Sequence, residues 1–129
     1  MSYKVEFKNY LDELHKSLCD VSDWMYENPE LGFQEFKTSK YLVDYIQKNS
    51  KSVNYPSHGL ETAFDVTFGE NGPLVVICVE YDALPEIGHA CGHNIIATAS
   101  IGAGLGLKDI ASKLGIRVKL LGTPAEEGG

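Results

Sequence analysis

The stretch that decides the fold spans residues 74–121 and reads LVVICVEYDALPEIGHACGHNIIATASIGAGLGLKDIASKLGIRVKLL. Its first six residues, 74–79, form an uninterrupted apolar run that predicts a strand covered on both faces. Small and apolar residues over about 94–114 predict a buried helix, and the apolar and basic alternation over 116–121 predicts another strand. Strand, helix and strand in this order predict a βαβ unit, with parallel strands and a right-handed crossover.

Three further elements are predicted before this unit. A second helix is expected over about 34–48, and alternation over 64–68 indicates a strand with one face in water. A first helix is indicated by apolar residues that recur at steps of three and four, namely Leu11, Leu14, Leu18, Val21 and Met25. The predicted fold class is α/β, an α/β/α sandwich whose mixed sheet contains the parallel βαβ unit.

Composition excludes several classes of function. The 129 residues carry a formal charge of −7, and the 11 basic residues are scattered, which argues against a nucleic-acid or anionic-membrane surface. The first ten residues do not resemble a signal peptide, and no apolar run approaches the length of a membrane span. Cys19 and Cys78 are interpreted as small core residues, so a reduced, cytoplasmic setting is expected.

The βαβ unit also predicts where chemistry takes place. In a parallel sheet, ligands bind beyond the carboxyl ends of the strands. Two clusters of reactive side chains that are far apart in sequence should therefore meet at one edge. They are Glu80, Asp82, His89, Cys91 and His93 after the first strand, and Glu126 and Glu127 after the second.

The run 88–94, GHACGHN, indicates a metal site. It places one thiol, Cys91, between two imidazoles, His89 and His93, and these are the ligand types that zinc prefers. The flanking glycines allow a turn, and the helix that follows would stabilise a thiolate. The alternative interpretation is a loop with incidental histidines and a buried cysteine.

The carboxylates have comparable alternatives. In an extended segment, Glu126 and Glu127 would point to opposite sides, so one could bind metal while the other faces a different part of the cleft. A glutamate beside a metal can also take the proton of a bound water. Asp82 could orient a ligating histidine. Without a metal, the glutamates would be a solvated acidic loop and Asp82 a turn former.

Some conspicuous residues are not expected to belong to the site. Gly102, Gly104 and Gly106 resemble part of a nucleotide-binding motif but fall inside the predicted helix, where close helix packing explains them better. His15 is expected at the surface, and His58 lies in a polar loop that offers it no evident partner.

Four runs occur in an order that carries a family resemblance. They are 28–35 (NPELGFQE), 81–85 (YDALP), 88–94 (GHACGHN) and 124–129 (PAEEGG). Together they resemble the aminoacylase/carboxypeptidase-like metallopeptidase family, which includes the hippurate, indole-acetyl-amino-acid and p-aminobenzoyl-glutamate hydrolases. The resemblance covers nearly the whole chain.

The resemblance implies roles for individual residues. Cys91, His93 and Glu127 would bind metal, Glu126 would be the general base, and Asp82 would be the carboxylate that supports a ligand. The reaction implied is hydrolysis of an amide bond in an N-acyl amino acid or short peptide, with water activated between two metal ions, usually zinc and in some members manganese. Asn94 replaces a frequent aspartate and favours the p-aminobenzoyl-glutamate and dipeptide-hydrolase branch.

Length is the main departure from the family. The resemblance implies that residues 1–129 are the N-terminal portion of a catalytic domain, without the dimerisation domain and C-terminal catalytic portion that make family members homodimers with a complete site. We therefore expect weak metal binding, little or no hydrolysis by this chain alone, and exposed apolar surface that favours association.

Two competing functions remain open. One is a cysteine hydrolase, with Cys91 as nucleophile and His89 or His93 as base, which thiol alkylation would inactivate and a chelator would not. The other is a fragment without activity that binds only a metal or a partner chain.

Overall fold

The computed structural model describes residues 2–128 and contains three helices and three strands within that range. In chain order these are α1 (Tyr3–Glu27), α2 (Phe36–Asn49), β1 (Phe64–Phe68), β2 (Leu74–Glu80), α3 (His93–Leu107) and β3 (Arg117–Thr123). The α/β class is confirmed. None of the described helices combines the length and apolar character that a membrane span needs.

Local sequence explains most of the helix ends. The Ser2 hydroxyl accepts a hydrogen bond from the backbone N–H of Val5 and so caps α1, which ends just before Pro29 as predicted. The helix α3 is shorter than predicted because the chain leaves it after Leu107 in a series of turns that ends at Gly115, whose φ is +68°.

The sheet places β3 at its centre, in the order β1-β3-β2. The strands β2 and β3 are parallel, with Val75 opposite Val118 and Glu80 opposite Thr123, whereas β1 runs antiparallel to β3. The predicted parallel βαβ unit is confirmed, and its parallel strands end at one edge of the sheet.

The glycines of α3 allow the helix to lie close to its neighbours. A Cβ at Gly104 would lie 2.4 Å from a methyl carbon of Leu120 on β3, and one at Gly106 would lie 2.5 Å from the ring of Phe7 on α1. These contacts confirm that the glycines serve close packing, which anchors α3 between the sheet and α1.

Burial corrects several predictions. The strand β2 is not covered on both faces, since Leu74, Val75 and Val76 are 40–46% exposed. Cys78, also on β2, and Cys19 on α1 are exposed and are not core residues. The face of β1 that was expected in water is largely buried, because the loop residue Asn54 pairs with Asp65 through their backbone groups.

Candidate metal centre

The candidate site is assembled at the edge where β2 and β3 end. Glu80 is the last residue of β2, and His93 is the first residue of α3. Glu126 and Glu127 follow β3. The sheet therefore brings together the two clusters that the sequence placed after its parallel strands.

His93 is held in one orientation by Asp82. Its ring nitrogen Nδ1 lies 2.7 Å from the Asp82 carbonyl oxygen and 3.1 Å from the carboxylate oxygen Oδ1 of the same residue. Because both are acceptors, Nδ1 carries a proton and donates it to the Asp82 carbonyl. Asp82 therefore orients the imidazole and fixes the direction in which Nε2 points.

Three carboxylates face the Nε2 atom of His93. The nearest oxygen of Glu80 lies at 3.2 Å, and those of Glu126 and Glu127 each lie at 3.6 Å. One ligand atom from each of Glu80, His93 and Glu126 falls within 4.8 Å of the other two. Three carboxylates gathered around one point repel one another unless a positive charge, from a cation or from the imidazole itself, lies among them.

Both glutamates point toward His93 because the backbone turns sharply after β3. The prediction that they face opposite sides is wrong, since the extended conformation ends at Thr123 and a turn follows with Ala125 at φ +55°. The backbone N–H of Glu127 donates to the Asp82 carboxylate oxygen Oδ2 at 3.0 Å. This bond links the ends of the two parallel strands.

Glu35, which was not predicted from the sequence, stabilises the turn after β3. It is fully buried, and its carboxylate accepts the backbone N–H of Ala125 at 2.8 Å and the hydroxyl of Thr62 at 3.0 Å. Its position in the run NPELGFQE was the available signal. Burial of a carboxylate is costly unless its oxygens are satisfied, as they are here, so Glu35 positions the glutamate pair.

Cys91 lies near the candidate metal centre, where the charges of Glu126 and Glu127 act on it, and it is exposed. A hydrogen bond with the Glu127 carboxylate, together with partial desolvation and the charges of Glu127 and Glu126, raises the pKa of the Cys91 thiol. The carboxylates of Glu127 and Glu126 thus oppose the stabilisation of a thiolate that is predicted from the following helix. Of the predicted metal ligands, Glu127 lies 3.6 Å from His93, whereas the group of ligand atoms within 4.8 Å of one another is Glu80, His93 and Glu126 and does not include Cys91.

Two further groups have shifted protonation equilibria. Partial desolvation, followed by the charges of Glu80 and Glu127, raises the pKa of Glu126. Burial, followed by the charge of His93, lowers the pKa of His89. His89 is only 7% exposed, and neither of its ring nitrogens has a hydrogen-bond partner within residues 2–128.

These donors fit a divalent cation. An imidazole with a defined free nitrogen, carboxylates and an adjacent thiol is the set of ligand types found around zinc. Glu80 joins the predicted residues, and the available signal was its position at a strand end two residues before Asp82. The Cys91 and His93 ligand roles stay predictions, as do those of Glu126, Glu127 and Asp82.

The geometry does not favour the cysteine hydrolase. Among residues 2–128 no hydrogen bond joins Cys91 to His89 or His93, and neither ring nitrogen of His89 has a hydrogen-bond partner. A nucleophilic cysteine needs its base within hydrogen-bond reach.

Known proteins share this fold and these motifs. No family model matches the chain. Over 92% of its length it is 35% identical to mouse Xaa-Arg dipeptidase, and over 85% it is 30% identical to one component of the p-aminobenzoyl-glutamate hydrolase of Escherichia coli. The chain spans about a third of these relatives' length, 31% and 27% respectively.

A solved structure agrees with these sequence matches. The YxeP protein of Bacillus subtilis, a dinuclear metal-binding peptidase of the M20 family, matches 90% of this chain with a TM-score of 0.76 and 26% identity. The alignment covers 36% of that protein. In sequence and fold the chain is thus similar to the M20 metal-dependent peptidases, and the resemblance read from the four motifs is confirmed.

Proposed function

We propose that this chain supplies half of the active site of a metal-dependent amidohydrolase that cleaves N-acyl amino acids or short peptides. The observation that carries the proposal is the Nε2 atom of His93, oriented by Asp82 and faced by three carboxylates within 3.6 Å. Residues 1–129 would form the N-terminal portion of the catalytic domain, because the chain spans about a third of its relatives.

Each residue has a role that follows from its contacts. Cys91, His93 and Glu127 would hold the metal, and Glu80 is an additional candidate ligand. A bound divalent ion polarises an amide carbonyl and makes water more acidic. Glu126, whose pKa is raised, would accept the proton of the attacking water.

The chemical setting follows from the ligands and the relatives. Imidazole, thiol and carboxylate together suit zinc, with manganese as the second choice, and two ions would occupy the complete site. The names of the relatives, a Xaa-Arg dipeptidase and a p-aminobenzoyl-glutamate hydrolase, support a small amide or dipeptide as substrate. We also propose a cytoplasmic location and a homodimer for the full-length protein.

One observation favours a second candidate, a metal- or partner-binding chain without turnover. The strand β2 exposes aliphatic side chains along an edge of the sheet, as expected if another chain segment covers it. Turnover by the purified chain, at rates comparable with its long relatives, would exclude this candidate.

The first test is metal content and calorimetric titration with zinc and manganese. The parent chain is compared with the double variant Cys91→Ala, His93→Ala and with a control, Cys19→Ala, His15→Ala, which removes the same residue types from α1. We expect the parent and control to bind metal and the site variant not to bind. Equal binding by all three proteins would contradict the proposed site.

A result in which no protein binds has two explanations. Either ligands from a longer protein are indispensable even for one ion, or Cys91 and His93 are not ligands. The same titration of the longer protein separates them, because only the first explanation restores binding that Cys91→Ala, His93→Ala abolishes.

A further inference from the structure

An open cavity of about 500 Å³ lies between the helices α1 and α3. Its volume falls within the range of small-molecule sites. Apolar side chains from both helices form much of its wall, among them Phe7, Leu11, Leu18, Ile95 and Ale99. The cavity therefore has the size and the lining for an apolar ligand.

One wall of the cavity carries three polar groups in a row along α1. His15, Cys19 and Ser22 all line the cavity, and their helical spacing places them on one face of α1. The Sγ atom of Cys19 lies 3.9 Å from Nε2 of His15, which is a hydrogen bond to sulfur. A nucleophilic thiol and a base thus stand side by side at the edge of an apolar cavity.

Packing holds this row in place against α3. Leu14 and Val21, which lie in the same part of α1, are buried in the core. A Cβ at Gly102 on α3 would lie 3.1 Å from a methyl carbon of Leu18, so the two helices are in close contact along the cavity. The reacting groups and the cavity wall therefore keep a fixed relation to each other.

The Ser22 hydroxyl indicates which kind of ligand fits the thiol. Its oxygen accepts a hydrogen bond from the Asn94 side-chain amide at 3.1 Å, and this leaves the hydroxyl hydrogen for donation. A carbonyl oxygen next to Cys19 would accept that hydrogen, and it gains negative charge when sulfur attacks the carbonyl carbon. The combination favours an acyl compound with an apolar chain.

We propose that Cys19 is a site of S-acylation by a fatty acyl thioester, whose acyl chain lies in the cavity between α1 and α3. His15 takes the proton of the thiol while the sulfur attacks the thioester carbonyl carbon. The carbon–sulfur bond of the donor then breaks, and the leaving thiol recovers the proton from His15. The products are a new thioester at Cys19 and one free thiol, with no oxidation or reduction.

The chain contains matched controls for this reaction. Cys19, Cys78 and Cys91 are all exposed, yet within residues 2–128 the cavity lining includes Cys19 and neither of the other two. The purified chain is incubated with the octanoyl or the acetyl thioester of N-acetylcysteamine. Peptide mapping by mass spectrometry gives the acylation rate at each cysteine, and a parallel reaction with iodoacetamide measures the accessibility of each thiol.

The expected result is a chain-length preference at one cysteine. Octanoyl transfer to Cys19 should be at least about tenfold faster than acetyl transfer, because each additional methylene group enters the cavity and leaves water. At Cys78 and Cys91 the two donors should differ less than about threefold, since their chains stay in solvent.

Two variants separate the cavity from the base. Ala99→Leu on α3 fills part of the cavity and keeps both reacting side chains, so it should remove the chain-length preference at Cys19. His15→Gln should slow acylation of Cys19 by both donors about tenfold and keep the preference. An unchanged iodoacetamide rate at Cys19 verifies that each variant leaves the thiol accessible.

The parent chain alone can overturn the proposal. Acylation spread evenly over the three cysteines, or equal rates for the two donors at Cys19, would do so without any variant. A preference that Ala99→Leu leaves intact would contradict the cavity as the site of the acyl chain. An unchanged rate in His15→Gln would contradict the pairing of imidazole and thiol on which the proposal depends.

Discussion

The parallel strands β2 and β3 differ in sequence and in surroundings. On β3, apolar and basic residues alternate, and Val118 and Leu120 are fully buried. On β2, residues 74–79 are all apolar, yet Val75, directly opposite Val118 in the register, is 46% exposed. Position at an edge does not explain this exposure by itself, because β1 lies at the opposite edge and is largely buried.

This comparison shows what an apolar run can and cannot predict. Only β2 has the composition of a strand covered on both faces, and it is the less buried of the two within the described chain. Their carboxyl ends are nevertheless equally important for the site, since β2 leads to Asp82 and β3 leads to Glu127. The cover that other segments provide therefore determines the stability of each strand, and the shared edge determines the chemistry.

The largest predicted effect tests this difference with matched valines. Val118→Ala should lower the free energy of unfolding by about 2.5 kcal/mol, since it removes two buried methyl groups and leaves a cavity. Val75→Ala on the neighbouring strand should cost less than about 0.5 kcal/mol. Urea denaturation followed by circular dichroism measures both. Equal losses would mean that β2 is as well covered as β3.

The next prediction concerns the link between the two strand ends. Asp82→Asn weakens the acceptor for the Glu127 N–H and removes the negative charge 3.1 Å from Nδ1 of His93. Zinc affinity should fall about tenfold, which is the lower end of the range for residues that orient a metal ligand. The effect is at this end because the Asp82 carbonyl still accepts the hydrogen bond from Nδ1 of His93. Calorimetry would compare it with Asp23→Asn, an exposed change on α1. Unchanged affinity would show that the carboxylate does not orient His93.

Local sequence patterns predicted which helices and strands form, but how deeply each one is buried became clear only from the structure. The parallel pair followed from a strand, helix and strand order that permits few arrangements. The exposure of β2 did not, because an apolar run reports what a strand can bury and not which segments are present to cover it. The end of α3 was also missed, since residues up to Leu114 keep a composition compatible with a helix.

The sequence predicted where the site lies better than it predicted how the side chains of the site are arranged. Cys91, His93 and Glu127 were predicted from ligand chemistry and the shared strand edge, and the fold brings His93 and Glu127 together. Glu35 and the inward turn of Glu126 were not predicted, because they depend on a bond between residues 90 positions apart and on a positive φ at Ala125. Such contacts leave no periodic signal.

The exposed edge gives the third prediction, which tests the expected tendency to associate. Residues 74–79 are uncharged, rich in β-branched residues and without proline, the features of strands that pair with other chains. Val76→Lys should shift the protein toward the monomer in analytical ultracentrifugation, by about threefold or more in the dissociation constant. Lys119→Val, a change of similar size on β3, should not favour the monomer. An association that Val76→Lys leaves unchanged does not use the β2 edge.

The smallest predicted effect concerns the opposite edge, where β1 carries Asp65. Sequence alone offered His58 no partner, yet its Nε2 atom lies 3.2 Å from the Asp65 carboxylate, which also accepts from the Asn54 side chain at 3.0 Å. Burial alone would raise the pKa of Asp65. The hydrogen bond from Asn54 and the charges of His58 and Lys119 outweigh it, so the pKa lies below its ordinary value.

The sign of the pH dependence follows from that lowered pKa. Stability from Asp65 is fully present above about pH 4, the pKa of an unfolded aspartate, and is lost as pH falls through the lower pKa of the folded chain. Asp65→Asn should therefore cost about 1 kcal/mol at neutral pH and flatten the acid limb of a stability curve. Denaturation at pH values between about 7 and 3 would measure this loss of stability, with Asp23→Asn as the control. If Asp65→Asn lowered the free energy of unfolding by the same amount at every pH, Asp65 would stabilise β1 through packing and not through its charge. The two edges of the sheet would then differ only in how well other segments cover them.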